Sequence, residues 1–381
     1  MKFLHLSDLH IGKTVNGFSM LDEQRYIFGQ IIGYIDAEKP DAVLIAGDIY
    51  DRAVPSVEAV RLFDDLLTDL AAKEVTVLII SGNHDSPERL NYASRLLSAR
   101  KLHLCGVFDG KLRSVTLPDE YGNLKFWLLP FIKPSGVRGM FTNKEIESYT
   151  DAVNSALESA DIDYSERNVL LSHQFYTSVG ITPIRSESEI NPVGGLDAVD
   201  VGLLSKFDYV ALGHLHGSQG VGENVRYTGS PIKYSFSEWK QKKSVTLVEI
   251  KEKGNITLAT LPLLPLHDMR EIKGSLEQLL SNEVFSQGNR KDYLRVILTD
   301  EEEIIDPIGK IRSIYPNVMA LDFENSRTSI DVSGTPLGTD QLERLSSYDL
   351  FSEFFLEISG AVMSEEQVQI VRELLEAEVE E

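Results

Sequence analysis

Cysteine is all but missing: Cys105 is the one cysteine in 381 residues. A lone thiol excludes an internal disulfide and an all-thiolate metal site, and it fits a reducing cytoplasm. Long apolar runs are missing too. No stretch reaches the roughly 18 consecutive apolar residues that a membrane-spanning helix needs. Residues 1–30 do not read as a secretion signal, because His5, Asp8 and His10 interrupt the first apolar run. There is no internal repeat, no low-complexity segment and no His-Glu-x-x-His zinc-protease signature. Positive charge is short as well, with 37 Lys+Arg against 59 Asp+Glu and a formal net charge of −22. Taken alone, that balance disfavours a nucleic-acid binder. The charge is unevenly placed, however. Residues 266–381 carry 10 Lys+Arg and 25 Asp+Glu, whereas residues 1–265 carry 27 and 34. Two bound divalent ions would offset about 4 charges of the milder N-terminal excess.

What is present is ordinary globular composition, 42% hydrophobic and 25% charged, long enough for two or more domains. Residues 1–265 alternate strand-length apolar runs with helical periodicity. "FLHLS", "AVLIA", "VTVLIIS", "LHLCG", "KFWLLP", "NVLLS" and "YVALG" read as strands. Ile27, Ile31, Tyr34 and Ile35 mark one helix. Val60, Phe63, Leu67 and Leu70 mark a second, started by Pro55 and Ser56, and residues 143–160 look helical. "VRYTGSP", "SVTLVEI" and "NITLATL" form a β-rich stretch without helices between them. The pattern predicts an α/β core with helix-covered sheets. "PLLPLHD" reads as a boundary, so residues 1–265 should form one domain and residues 266–330 a small α+β domain. Residues 331–347 read as a linker and residues 348–381 as C-terminal helices, the last opened by a Ser364/Gln367 capping box.

The strand ends carry the chemistry. They deliver Asp8 and His10, then Asp48, then Asn83, His84 and Asp85, then His173, then His214 and His216. In α/β sheets the C-terminal strand edge is where ligands bind. One polar strand end is usually a turn, but five in series, using five of the eight histidines, point to a site. Imidazole, carboxylate and amide oxygen together suit a pair of divalent metals. Asp-x-His and His-x-His put side chains two apart on one side of an extended segment. Asp48, alone after a strand and a glycine, is the natural bridging carboxylate. Two ions about 3.5–4 Å apart would activate water and clamp a phosphate for in-line displacement.

"DLH", "GDIYD", "GNHD", "SHQ" and "GHLH", in that order over about residues 1–240, resemble the five motifs of calcineurin-like metallophosphoesterases. "MKFLHLSDLHIGK", "AGDIYDRAVPS", "NHDSPERLNYASRLL" and "YTGSPIKYSFSE" resemble, more narrowly, the SbcD-type nuclease subunits of bacterial SbcCD complexes. The resemblance implies a two-sheet sandwich flanked by helices, with a capping domain. It implies two divalent ions, manganese first and magnesium as the alternative. One ion would be held by Asp8, His10, Asp48 and His216, the other by Asp48, Asn83, His173 and His214. His84 would face the substrate as acid or charge stabiliser, and Asp51 stands where archaeal relatives carry a further histidine. The implied activity is exonuclease or endonuclease cleavage of DNA ends and hairpins in the cytoplasm. The implied partners are a second copy of the chain, through helices near 56–72 and 88–99, and an SbcC-type, SMC-like ATPase. That ATPase would dock its coiled coil on Leu350, Phe351, Phe354, Phe355 and Ile358 and on Val368, Val371 and Leu375; the other reading is that these helices fold back and complete this chain's own core. The alternatives are a phosphodiesterase or phosphatase for small phosphoesters, since the core motifs do not specify DNA, and a DNA-end scaffold that does not cut.

Several residues have plainer readings. His5 is expected in the core, and His103 and His267 at the surface or in loops. Asp85 is expected to hold a turn. Gly229-Ser230-Pro231 is either a turn or a loop beside the site. Trp239–Lys243 is expected to be a solvated loop, with a DNA-backbone contact as the other reading, and Asp300–Asp306 an exposed acidic loop.

Overall fold

The computed structural model describes residues 1–178, 183–189, 197–285, 288–326, 347–359, 362–364 and 366–371. It divides into two compact units, Met1–Asp268 and Met269–Glu381.

The first unit is built on two six-stranded sheets. In chain order its main strands are β1 (Lys2–Leu6), β2 (Ala42–Ala46), β3 (Thr76–Ile80), β4 (Leu102–Cys105), β5 (Arg113–Asp119) and β6 (Gly122–Leu129). They continue with β7 (Arg167–His173), β8 (Tyr209–Gly213), β9 (Gln219–Gly220), β10 (Val225–Tyr227), β11 (Ser244–Ile250) and β12 (Ile256–Pro262). One sheet has the order β12-β11-β1-β2-β3-β4, the other β9-β10-β8-β7-β6-β5. β1 to β4 are mutually parallel, as are β6, β7, β8 and β10. The central strands are buried along their whole length, which explains their unbroken apolar sequences. Alternate residues face opposite ways. Phe3, Leu44, Leu78 and Ile80 meet Phe126, Leu128, Val169 and Tyr209 in one core cluster drawn from both sheets. Trp127, Leu129, Leu170 and Leu212, from the other face of the second sheet, cluster with Ala152, Val153 and Ala156.

Helices cover the sheets. α1 (Leu21–Glu38) buries Ile27, Ile31 and Ile35 as its period predicts. α2 (Val57–Ala72) is capped by the Ser56 hydroxyl, which accepts from the Ala59 amide at 3.2 Å. Its buried stripe is Ala59, Leu62, Phe63, Leu66 and Leu70, rotated from the expected face, and Val60 stands 46% exposed. α3 (Tyr149–Glu158) starts later than the expected residue 143, where Ser148 and Asp151 form a capping box. A hydroxyl able to satisfy the first free amides decides the start over the apolar spacing before it.

The second unit contains three parallel strands, Met269–Gly274, Tyr293–Leu298 and Val318–Phe323. Its core gathers Leu279, Leu294, Val296, Ile311 and Tyr315. Glu301, Glu302 and Glu303 are exposed, as an acidic loop requires. The helix Ser347–Ser359 leaves Leu350, Phe351, Phe354 and Leu356 between 37% and 56% exposed. Residues 331–346 of the expected linker, and Leu375, lie outside the described residues; the Ile358 side chain is likewise not described. Among the described residues no helix is long and apolar enough to cross a membrane.

Candidate metal centre

The parallel strands expected to end in Asp, Asn or His all end at one place. Asp8 and His10 follow β1, Asp48 follows β2, and Asn83 and His84 follow β3. His173 ends β7 and is paired with Gly213, so His214 follows in register beside it. Asp8, His10, Asp48 and His214 have φ of 53°, 41°, 50° and 103°. Left-handed backbone at non-glycine residues costs about 1 kcal/mol or more each and persists where surroundings impose it. Here backbone bonds impose it: Asp8 N to Gly47 O at 3.0 Å, and His10 N to Asp48 O at 2.9 Å. The glycines of the motifs are demanded by close approach. A Cβ on Gly82 would strike the Asp48 carboxylate, and one on Gly213 would strike the Ala46 carbonyl.

The side chains form two adjoining groups with the Asp8 and Asp48 carboxylates between them. In one, His10 Nε2 lies 3.0 Å from His216 Nε2 and 3.6 Å from Asp48 Oδ2, with Asp8 adjoining. In the other, His173 Nε2 lies 3.3 Å from Asp48 Oδ2 and 3.0 Å from Asn83 Oδ1, and His214 Nδ1 lies 2.9 Å from the same amide oxygen. Asp8, His10, Asp48, His173 and His216 are each at most 2% exposed. Ligand atoms of Asp8, His10 and His216, and of Asp8, Asp48 and His173, lie within 4.8 Å of one another. His84 is also within that reach of His10 and Asp48. Its Nδ1 faces the Asp51 carbonyl at 2.8 Å, and its ring stands 4.7 Å from that of His10.

Electrostatics suit cations. Burial works against an ionised Asp48, but His173, His10 and His84 outweigh it and hold the carboxyl well below its ordinary range. Burial also works against a charged His173, yet Asp48 and Asp8 push it up to about 9. His214, pushed down to about 3 by burial and by His173, is neutral and ready to coordinate. His10 Nδ1 and His214 Nε2 have no hydrogen-bond partner although buried. Buried, preformed and lone-pair rich, the donor set fits two divalent ions.

A supporting layer around the ligands left no signal in the sequence. His216 Nδ1 lies 2.8 Å from Ser188 Oγ and 3.1 Å from Glu238 Oε1. Lys243 Nζ donates to Glu238 Oε2 at 2.7 Å, to the His216 carbonyl at 2.9 Å and to Ser230 Oγ at 2.9 Å. Glu238 is fully buried and Lys243 8% exposed. The solvated-loop expectation is therefore corrected for Lys243, though Lys240 and Lys242 are exposed or partly so. Nothing in "WKQKK" separates one lysine from the next; only the fold aims Lys243 inward. Ser230 belongs beside the site, since its amide donates to the His216 carbonyl at 3.2 Å. Likewise His173 Nδ1 is held by the Ala46 carbonyl at 2.7 Å. Asp85 fixes the turn: its carboxylate accepts from the Gly82, Tyr50 and Ile49 amides at 2.8, 2.9 and 3.1 Å. His5 is a core histidine, bonded to the Tyr209 hydroxyl at 2.9 Å.

Known proteins align with this chain over nearly its whole length. Residues 1–218 match the calcineurin-like phosphoesterase family, and residues 265–358 match a domain described as the type 5 capsule protein repressor C-terminal domain. The chain is 32% identical to the SbcD subunit of nuclease SbcCD from Staphylococcus epidermidis, covering 98% of each chain. It is 33% identical to the SbcD subunit of nuclease SbcCD from Staphylococcus saprophyticus, covering 100% of this chain and 99% of the other. A dimetal phosphatase from Danio rerio aligns at 15% identity and a TM-score of 0.42, over 69% of this chain and 96% of its own. The chain belongs to the calcineurin-like phosphoesterase family and, within it, to the family of SbcD nuclease subunits.

Proposed function

We propose that this chain is a two-metal DNA nuclease, hydrolysing phosphodiester bonds at DNA ends and hairpins as one subunit of an ATP-driven, cytoplasmic complex acting in DNA repair and recombination. The observation that carries the reading is the convergence of five strand ends on one buried cluster in which the Asp8 and Asp48 carboxylates stand among His10, His173 and His216. In this reading Asp8, His10, Asp48 and His216 hold one ion, and Asp48, Asn83, His173 and His214 the other. When bound, two divalent ions, manganese first, would activate water and neutralise the phosphoryl oxygens. The chain's own part is to hold the ligands without rearrangement and to exclude other geometries. His84 accepts the substrate role because its Nδ1 is engaged by the Asp51 carbonyl, which fixes the ring while Nε2 remains for a phosphoryl or leaving oxygen.

The partners are proposals too. Val57 and Val60, and Tyr92 and Leu96, are 46% to 82% exposed, on the two segments nominated for a homodimer. The exposed aromatic face of Ser347–Ser359 supports docking of a partner helix. Full-length relatives named as SbcCD subunits support an ATPase partner of the SbcC type. The test is purified protein with Mn²⁺ or Mg²⁺, offered hairpin, linear duplex, single strand and a small phosphodiester. Cutting of DNA ends and hairpins well above the small ester is expected. Activity confined to the small ester would overturn the DNA assignment, and binding without any hydrolysis would make the chain a scaffold.

A further inference from the structure

A cavity of about 440 Å³ opens beside the metal centre, and Gly82 and Asn83 form part of its wall. Its lining is mostly apolar, including Val107, Phe108 and Val137. Phe131 adds a half-buried aromatic ring, standing edge-on to His173 with centroids 6.4 Å apart. The exposed Lys133 holds its ammonium 5.9 Å from the centre of that ring. Two carboxylates adjoin. Asp85 is consumed by three backbone amides, and Glu88 sits on the rim.

We propose that this cavity is a nucleoside subsite, taking the base and sugar next to the phosphate that is cut. The inference rests on the nuclease reading and names the part of the substrate that the metals do not touch. Three features point to a nucleobase. The volume lies within the ~300–1,000 Å³ of small-ligand sites and holds a nucleoside with room for water. An aromatic ring with a cation over it is the combination that stacks bases while holding a backbone charge. Contact with Asn83 puts a bound base within one nucleotide of the phosphoryl site. Asn83 is turned toward His173 and His214, and the other polar side chains of the wall are Asp85, Glu88, Lys133 and Ser135.

The experiment uses the full chain with Mn²⁺ and DNA carrying one abasic residue on either side of the scissile phosphate. Binding of 2′-deoxyadenosine 5′-monophosphate is compared with that of 2-deoxyribose 5-phosphate by calorimetry. Wild-type protein should cut the abasic bond about tenfold or more slowly and bind the nucleotide about tenfold or more tightly, the scale of one stacked base. Phe131→Leu, which keeps apolar bulk without the ring, should erase most of both differences. Ser135→Trp, placed on the rim, should erase them by filling the cavity. Both variants should retain two Mn²⁺ ions per chain and a normal melting curve. Wild type that cuts abasic and normal sites alike overturns the subsite and leaves the nuclease reading standing. So does a base preference that survives both variants. Wild type that cuts no DNA overturns the nuclease reading itself.

Discussion

At the scale of residues, variants of Asp48 and His84 test the proposed division between metal binding and substrate chemistry. In the proposed centre, Asp48→Asn removes a full negative charge from between two cations, so occupancy should fall at both sites and turnover by several orders of magnitude with the fold retained. Elemental analysis still finding two ions per chain, with normal turnover, would refute the shared-carboxylate assignment. His84→Ala should keep both ions and DNA affinity while the rate falls by about 10²–10⁴. Loss of an ion from that variant would make His84 a ligand, as its place within reach of His10 and Asp48 allows. Glu238 acts one layer out, fixing which nitrogen of His216 carries the proton. Glu238→Gln should weaken one ion by about 10- to 100-fold and leave the other, seen as a split in a manganese titration. In the proposed centre protons compete with metal at His173, which Asp48 and Asp8 push up to about 9. Below that pH a proton must leave before an ion binds, so Mn²⁺ affinity should rise with pH up to about 9. Calorimetry in buffers of different ionisation enthalpy would count the proton.

Elements show where pattern reading works and where it fails. Strand identity was plain, because runs such as Ala42–Ala46 and Thr76–Ile80 are buried on both faces and need no polar residue. Local caps were plain too: the Ser364 hydroxyl accepts from the Gln367 amide at 3.3 Å, as its spacing predicts. The facing of α2 was not. Val57 and Val60 are as apolar as Leu62 and Leu66, and only the tertiary packing decides which side is covered. The helix Ser347–Ser359 poses the same question with the opposite outcome, since Leu350, Phe351, Phe354 and Leu356 remain exposed. Truncation after Arg344 should therefore leave a folded, manganese-dependent nuclease that no longer binds the ATPase coiled coil. A large fall in melting temperature, with partner binding intact, would place that helix in the chain's own core instead. Burial of several such side chains against a partner stabilises by roughly 1.5–3 kcal/mol each before ordering costs.

At the scale of the molecule, two sheets bring strand ends from residues 8 to 216 into one buried cluster of carboxylates and imidazoles. Buried, partly unbonded ligand groups make the unloaded fold expensive. Manganese should therefore raise the melting temperature, and the rise should grow with the logarithm of its concentration. An unchanged melting curve at saturating metal would contradict a preformed centre. The sequence by itself determined where the strands lie, which residues stand at their ends and the order in which they arrive. Each of these follows from short-range pattern: apolar runs of strand length, each ending in Asp, Asn or His. Only the tertiary structure decided which lysine turns inward to Glu238, why Ser188 touches His216 across 28 positions, and where a cavity opens beside Asn83. Those contacts join segments brought together by the fold, and such contacts leave no periodicity in the residues that make them.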